Sequence, residues 1–495
     1  MSSGFLEKCL IAIYKYLPLV TAGFSFLPCG LVFGYTVISF VLESKVKLGV
    51  VAYGPMIVGT CVGFIVAVMM YLMKAIRKHF VFWHFEMLLV ASGFHLTASA
   101  FFFASSLDIV GSFLAFFAHS VTFVCVLSYL HVICSKRGRS IFLSSCFAWY
   151  MLGLATSVTL IGNSFRKHNP NVVSVDSMKE TEGIYVSFAG TYLSIAVVLG
   201  VLLSAVKVLS FFGNVDYKES HDDEFRIANS NETIFEKRSE IIKRVVFFYV
   251  TGNRQWFVSA YLLLLDAIDY AMFIYFIFWF SLNKAVAVSD DDHRPALFWV
   301  LFGGSAFNTI CMTFISIKTN YILCKLCQIL LTFLSMLIFT NEGSKIPFLM
   351  ILFFFGMSFG NIKVTVVETA HFKYSELLLF VSYFTQMLST SIIYFYFVSN
   401  GKNMYFYSED YSTLIAQGLV FIIITVLVAI VFNLEVPKTF NTTLFDIRYG
   451  LLGVIFKKHQ IEQLNVHWLK DGTIPTISEH ENHYKMNDRA GSSYI

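Results

Sequence analysis

The chain alternates long apolar stretches with short polar joints. About 20 apolar residues are needed to cross a bilayer as a helix, and the sequence divides into twelve stretches of roughly that length. The predicted spans are residues 17–42, 48–73, 81–106, 108–134, 140–163, 185–211, 256–282, 296–316, 320–341, 347–371, 376–398 and 412–435. The pattern therefore predicts an all-α polytopic membrane protein with twelve transmembrane helices.

One joint is much longer than the others and divides the spans into two sets of six. We predict an N-terminal six-helix half at 1–211, a cytoplasmic central loop at 212–255, a C-terminal six-helix half at 256–435 and a cytoplasmic tail at 436–495. Within the loop, residues 233–250 place apolar residues at helical spacing with basic residues between them. This spacing is typical of an amphipathic helix on a membrane surface, although a solvated linker explains it almost as well.

Composition and charge agree with this interpretation. Hydrophobic residues make up 57% of the chain and charged residues only 14%, whereas soluble domains are near 25% charged. The net charge of +4 is small and dispersed, so nucleic acid is not expected as a partner. Basic residues concentrate in the joints 2–3 and 4–5, which places both termini in the cytoplasm by the positive-inside rule. The sequence does not distinguish the plasma membrane from an organelle membrane.

No motif indicates an enzyme or a cofactor. The chain has no nucleotide-binding or hydrolase signature, so any energy coupling must come from an ion or solute gradient. Cys324 and Cys327 have the spacing of a metal-binding pair, but no second pair of ligands accompanies them and they lie in an apolar stretch. We therefore expect no metal, and we expect a monomer in the lipid bilayer.

The organisation resembles the major facilitator superfamily over about residues 10–435. The resemblance is architectural, because "YLMKAIRKHFVF" in joint 2–3 keeps only Lys74, Arg77 and Lys78 of the family's signature. The signatures of sugar porters, monocarboxylate transporters and peptide transporters are also missing, which leaves the nodulin-like and amino-acid-transporting branches. The resemblance implies a solute site between the halves near mid-membrane. Helices 1, 4, 7 and 10 would line it, and helices 3, 6, 9 and 12 would lie outermost.

Two acids stand in the middle of span 7. A charge at the bilayer centre costs at least about 2.5–3.5 kcal/mol, so such residues mark functional sites. Asp266 and Asp269, in "LLLLDAIDYAMF", share one face of the helix, and Lys363 of span 10 lies at a similar depth. Because the resemblance places both helices at the cavity, we predict an ion pair between Asp266 and Lys363. The second acid would then leave a surplus negative charge that binds a proton or a cationic group, unless the pair is static.

Other polar residues of the spans are also candidates. Span 11 places Ser382, Gln386, Ser389 and Thr390 on one face, and span 1 contains Pro28-Cys29-Gly30, which predicts a kink or an opened helix. The spacing Gly356-xxx-Gly360 in span 10 predicts close helix packing. The predicted solute-binding or proton-binding residues are Asp266, Asp269, Lys363, Gln386, Asn308, His119, Tyr270 and Ser25.

These features favour a secondary transporter that moves a small polar organic solute by alternating access, with protons as an optional coupling ion. An amino acid suits the site, since its ammonium group would meet an acid and its carboxylate would meet Lys363. Two alternatives remain. One is an uncoupled facilitator of a neutral or cationic solute such as a nucleoside, polyamine or sugar. The other is a receptor or scaffold derived from a transporter.

Overall fold

The computed structural model describes residues 16–43, 54–63, 65, 66, 69, 81–104, 107–134, 138–168, 178–212, 246–282, 294–338, 345–369, 375–400 and 411–436. Most of the predicted central loop and the predicted tail beyond residue 436 lie outside these ranges.

The described residues are almost entirely helical. This is expected for segments in lipid, where each backbone polar group needs a partner within its own helix. The helices are α1 (Phe26–Glu43), α2 (Gly54–Gly63), α3 (Val81–Phe102), α4 (Asp108–Ile133), α5 (Arg139–His168), α6 (Met178–Phe212), α7 (Val246–Leu282), α8 (Arg294–Cys311), α9 (Ile317–Ile338), α10a (Lys345–Ser358), α10b (Asn361–Thr369), α11 (Ser375–Asn400) and α12 (Tyr411–Glu435).

Each of the twelve predicted spans contains a helix within the described residues. Ten spans are long and apolar enough to cross a membrane, while α2 and the apolar part of α8, Ala296–Cys311, are shorter. The prediction of an all-α polytopic membrane protein is confirmed. The helix α7 begins at Val246 rather than near residue 256, so the last part of the predicted central loop is helical.

The helices form two groups that meet along a central interface. In the first group α1 packs on α5, and α3 packs on α4 and α6; in the second, α10a packs on α8 and α9, and α7 packs on α11 and α10b. Contacts between the groups run from α5 to α8 and from α4 to α11. The spans of α1, α4 and α10 are the most buried, and those of α6 and α12 are among the least. Burial of these five spans follows the predicted central and outer helices, but span 7, also predicted to be central, is less buried than spans 5 and 11.

Glycines allow the closest of these helix contacts. A Cβ atom on Gly30 of α1 would overlap the carbonyl oxygen of Tyr150 in α5, and one on Gly356 of α10a would overlap that of Leu301 in α8. The predicted close packing at Gly356 is therefore confirmed. Such contacts bring two helix backbones together without an intervening side chain.

The helix of the first span is interrupted before its proline. The helical stretch from Tyr16 is interrupted by a turn at Ser25, whose amide N–H is shared between the carbonyls of Thr21 and Ala22 at 3.2 Å each. Pro28 then lies in the first turn of α1, where its missing N–H costs no helical hydrogen bond. The interruption is therefore a single turn residue and not a stretch of unwound helix.

Span 10 contains a helix break. The sequence pattern predicted one continuous helix there. The α-helix stops at Ser358 and starts again at Asn361, and Gly360 between them has a φ of +82°. A residue other than glycine rarely adopts this backbone conformation. The ring of Phe147 from α5 also fills the space that a Cβ atom of Gly360 would need. Gly360 therefore breaks the helix and does not simply continue a packing stripe from Gly356.

We expect the substitution Gly360→Ala to destabilise the protein. The left-handed conformation alone costs a residue with a side chain about 1–2 kcal/mol, and the overlap with Phe147 adds to it. The unfolding temperature of the purified protein should fall by several degrees. Gly303→Ala is the matched control because nothing lies within 4 Å of its added methyl group. Equal unfolding temperatures for the two variants would contradict this account of the break.

Candidate functional site

Asp266 of α7 and Lys363 of α10b form a buried ion pair. The Lys363 Nζ atom donates to Asp266 Oδ1 at 2.8 Å, and each side chain is 3% exposed. The other carboxylate oxygen, Oδ2, accepts hydrogen bonds from Ser382 at 2.6 Å and Gln386 at 3.2 Å, both on α11. The predicted pair is confirmed, and the polar face of α11 completes the coordination of this carboxylate.

The second acid has its own lysine, so the predicted surplus of negative charge is wrong. Lys325 of α9 donates to Asp269, and its side chain is fully buried while that of Asp269 is 13% exposed. The cluster therefore holds two acids and two lysines. The missed signal was Lys325 itself, a charged residue within span 9 and between Cys324 and Cys327. The resemblance had implied that helix 9 lies outermost, away from the site.

Aromatic rings surround both lysine ammonium groups. A cation over the face of an aromatic ring within about 6 Å of its centre is attracted by the ring quadrupole. The Nζ atom of Lys363 lies 5.0 Å from the ring centroid of Phe359, 5.6 Å from that of Tyr270 and 6.0 Å from that of Phe147. The Nζ atom of Lys325 lies 5.1 Å from the ring centroid of Tyr321 and 5.2 Å from that of Phe355. The rings shield the pairs from lipid while they supply weak cation binding of their own.

Polar side chains hold both sides of the break in span 10. On one side Gln328 of α9 accepts from Lys325 at 3.2 Å and donates to Ser358, the last residue of α10a, at 3.3 Å. On the other side Asn320 of α9 donates to Asn308 of α8 at 2.6 Å. Asn308 in turn donates to Asn361, the first residue of α10b, at 3.0 Å. Asn308 thus supports the break and does not line the cavity beside it.

A small cavity lies against the charged cluster. Its volume is about 10 Å³, room for about one water molecule. The lining residues are Asp266, Asp269, Tyr270, Phe273, Phe355, Ser358, Phe359, Gly360, Ile362 and Lys363. The cavity is therefore too small for any larger solute in this conformation, and the broken part of α10 forms one wall.

The other predicted candidates lie in different surroundings. Tyr270 lines the cavity, and its hydroxyl is 3.3 Å from that of Thr390. Ser25 donates to the carbonyl of Thr21 in its own helix at 3.1 Å and does not line the cavity. His119 of α4 lies in the interface between the two helix groups, where its ring contacts Tyr383 of α11. The structure thus brings together Asp266, Asp269, Lys363, Gln386 and Tyr270.

Within the described part of the chain, His, Cys, Asp and Glu side chains form no group of three or more that could hold a metal ion. Cys324 is buried and Cys327 half-buried, both as free thiols.

No protein-family model matches the chain, and no curated protein matches its sequence significantly. Solved structures do match its fold. The proton:xylose symporter XylE with bound 6-bromo-6-deoxy-D-glucose shares 15% identity at a TM-score of 0.60, over 89% of this chain and 99% of that one. FucP in the outward conformation shares 12% identity at a TM-score of 0.52, over 85% of this chain and 99% of that one. XylE from E. coli in a partially occluded, inward-open conformation shares 14% identity at a TM-score of 0.54, over 84% of this chain and 98% of that one. The chain has the major facilitator superfamily fold.

We expect the pair between Asp269 and Lys325 to be coupled energetically. Either Asp269→Asn or Lys325→Gln alone leaves a buried charge without its partner, which costs about 3–5 kcal/mol. The double variant removes both charges, so its loss of stability in chemical or thermal unfolding should be well below the sum of the two single losses.

The matched control combines Asp269→Asn with Lys207→Gln. Lys207 is a half-exposed lysine of α6 that pairs with Glu86 of α3 and not with the cluster. The stability losses of Asp269→Asn and Lys207→Gln should therefore add. Additive losses for Asp269 and Lys325 as well would show that the two side chains do not interact in the folded protein.

Proposed function

We propose that the protein is a secondary transporter that moves a small polar organic solute across a membrane by alternating access of its two six-helix groups. The observation that carries this proposal is the cluster of two acids and two lysines buried beside the break in span 10. Charged side chains within a membrane are costly and most often belong to solute or ion pathways. We also propose that both termini face the cytoplasm, from the basic residues in the joints 2–3 and 4–5.

Contacts between the helix groups support an alternating mechanism. Towards the end of α5, Thr159 accepts a hydrogen bond from Trp299 of α8 at 3.0 Å. At the start of α5, Ser140 lies 3.5 Å from the Glu368 carboxylate of α10b. The groups therefore touch at both ends of α5, as in an occluded state. Opening to either side of the membrane requires only one of these contacts to separate while the other persists.

Asp269 is the carboxylate that we propose takes up a proton. Asp266 is nearly inaccessible, and it is bonded to Lys363, Ser382 and Gln386. Asp269 lines the cavity and is more exposed than any other charged side chain of the two pairs. When Asp269 is neutral, Lys325 keeps the side-chain oxygen of Gln328 at 3.2 Å and two aromatic faces as partners. The proton would enter from the side to which the cluster opens and leave on the other side.

An uncharged solute suits this site better than an amino acid does. The case for an amino acid rested on a free acid for its ammonium group, and both acids are neutralised by lysines. The named solutes of the similar structures are sugars or sugar derivatives. We therefore propose the neutral alternative as the solute class, with proton coupling retained.

Proton-coupled flux is the direct test. The purified protein is placed in proteoliposomes that contain a pH-sensitive dye, and D-xylose, L-fucose and L-leucine are added one at a time. We expect a sugar to drive proton movement with its own uptake. Asp269→Asn should abolish the proton movement and uphill uptake but retain exchange of labelled solute, since exchange needs no net proton transfer. Asp108→Asn is the matched control, because Asp108 pairs with Tyr35 at the start of α4, outside the cluster.

Three results would change the proposal. Uptake that is equal with and without a proton gradient, and unchanged in Asp269→Asn, would favour an uncoupled facilitator. Proton-coupled uptake of L-leucine alone would restore the amino-acid alternative. Absence of flux for a broad panel of solutes would favour a receptor or scaffold.

A further inference from the structure

A layer of aromatic rings fills the centre of the interface between the two helix groups. Phe359, beside the helix break, stacks on Tyr150 of α5 with centroids 5.9 Å apart and an interplanar angle of 16°. Tyr383 of α11 contacts His119 of α4 at 4.8 Å and Phe123 of α4 at 5.3 Å. His119 also lies 5.5 Å from Tyr150. The two groups therefore meet through rings, and His119 and Tyr383 face each other across the interface.

Two polar atoms in this layer lack hydrogen-bond partners among the described residues. They are Nδ1 of His119 and the hydroxyl of Tyr383, and both side chains are 1% exposed. Thr60 of α2 lies beside the Tyr383 hydroxyl but not in hydrogen-bonding geometry with it. A buried polar group without a partner costs about 1–3 kcal/mol. A bound group that forms hydrogen bonds with these two atoms would therefore stabilise the interface.

We propose that His119 and Tyr383 bind the transported solute, and that this solute is an uncharged ring bearing hydroxyl groups, such as a monosaccharide or the ribose of a nucleoside. The inference rests on the proposed transport function and names the solute class of the same central pathway. A sugar ring has hydroxyl groups that either donate to or accept from imidazole and phenol groups. Its apolar C–H face packs on aromatic rings such as Tyr150 and Phe359.

The position of the pair explains how solute binding and closure are linked. His119 belongs to the N-terminal group and Tyr383 to the C-terminal group, so a solute that bonds to both holds the groups together. A solute that reaches only one of them in an open state gains the second contact on closure. This difference in binding between the two states is what shifts the population toward the closed one.

Stability and affinity should change in opposite directions at these residues. Replacing a buried polar group that has no partner with an apolar group of similar shape is neutral or stabilising. We expect His119→Phe and Tyr383→Phe to keep or raise the unfolding temperature of the empty protein. Each should weaken binding of D-xylose or uridine about tenfold, the loss of one hydrogen bond of about 1.4 kcal/mol. Equilibrium binding of labelled D-xylose, uridine and L-leucine to the purified full-length protein measures this.

Tyr35→Phe is the matched control. It also removes one buried phenol hydroxyl, but that hydroxyl donates to Asp108 at 2.8 Å. It should therefore lower the unfolding temperature and leave the affinity unchanged, the opposite of Tyr383→Phe. His119→Gln, which keeps a hydrogen-bonding group, should retain more affinity than His119→Phe.

The outcomes separate this inference from the transport function. Unchanged affinity in both His119→Phe and Tyr383→Phe would overturn the assigned residues, and a lower unfolding temperature in both would assign them a structural role. Binding of L-leucine only, or of none of the three probes, would overturn the solute class. In either case, proton-coupled flux in proteoliposomes tests the transport function separately from these binding measurements. Binding of D-xylose or uridine without any flux would instead contradict the transport function and support the binding site alone.

Discussion

Neutralising buried charge is the constraint on which the centre of this protein depends. Two acids on α7 are buried among apolar helices, where neither persists without an opposite charge close by. Lys363 and Lys325 supply those charges from α10b and α9. The two acids are three residues apart on one helix face. Asp266 pairs with α10b, which packs on α7, and Asp269 pairs with the Lys325 side chain that reaches α7 from α9. Four side chains thus connect three helices.

The helix break in span 10 belongs to the same arrangement. A break leaves backbone groups without helical partners, which is tolerated in a membrane only where protein or a wet cavity surrounds them. Here the residues on either side of Gly360 are held by amide and hydroxyl groups of α8 and α9. Gln328 belongs both to this support and to the surroundings of Lys325. The charge on Asp269 and the geometry of the break are therefore connected through Lys325 and Gln328.

Hydrophobicity alone predicted most of the fold, because a span of apolar residues in lipid has few alternatives to a helix. Depth along two helices was enough to pair Asp266 with Lys363. The same reasoning applies to Lys325, a charged residue within span 9, but the resemblance implied that helix 9 lies outermost. The break at Gly360 could not be found in this way. A glycine that allows close packing and one that adopts a positive φ are identical in sequence, and only the ring of Phe147 in the structure distinguishes them. The pairing of His119 with Tyr383 depends on how two distant helices meet, which no local pattern contains.

The balance of charge in the cluster has an electrical consequence. Two acids and two lysines sum to zero, so the unprotonated cluster experiences no net force from a membrane potential as it moves with its helices. If Asp269 binds a proton, the cluster carries one positive charge, worth about 2.3 kcal/mol per 100 mV across the full membrane. A voltage across the membrane would then act on the loaded form and leave the return of the empty form unaffected. In a proton-coupled cycle of this kind, the second lysine, by cancelling the second acid, would determine which half of the cycle the membrane potential drives.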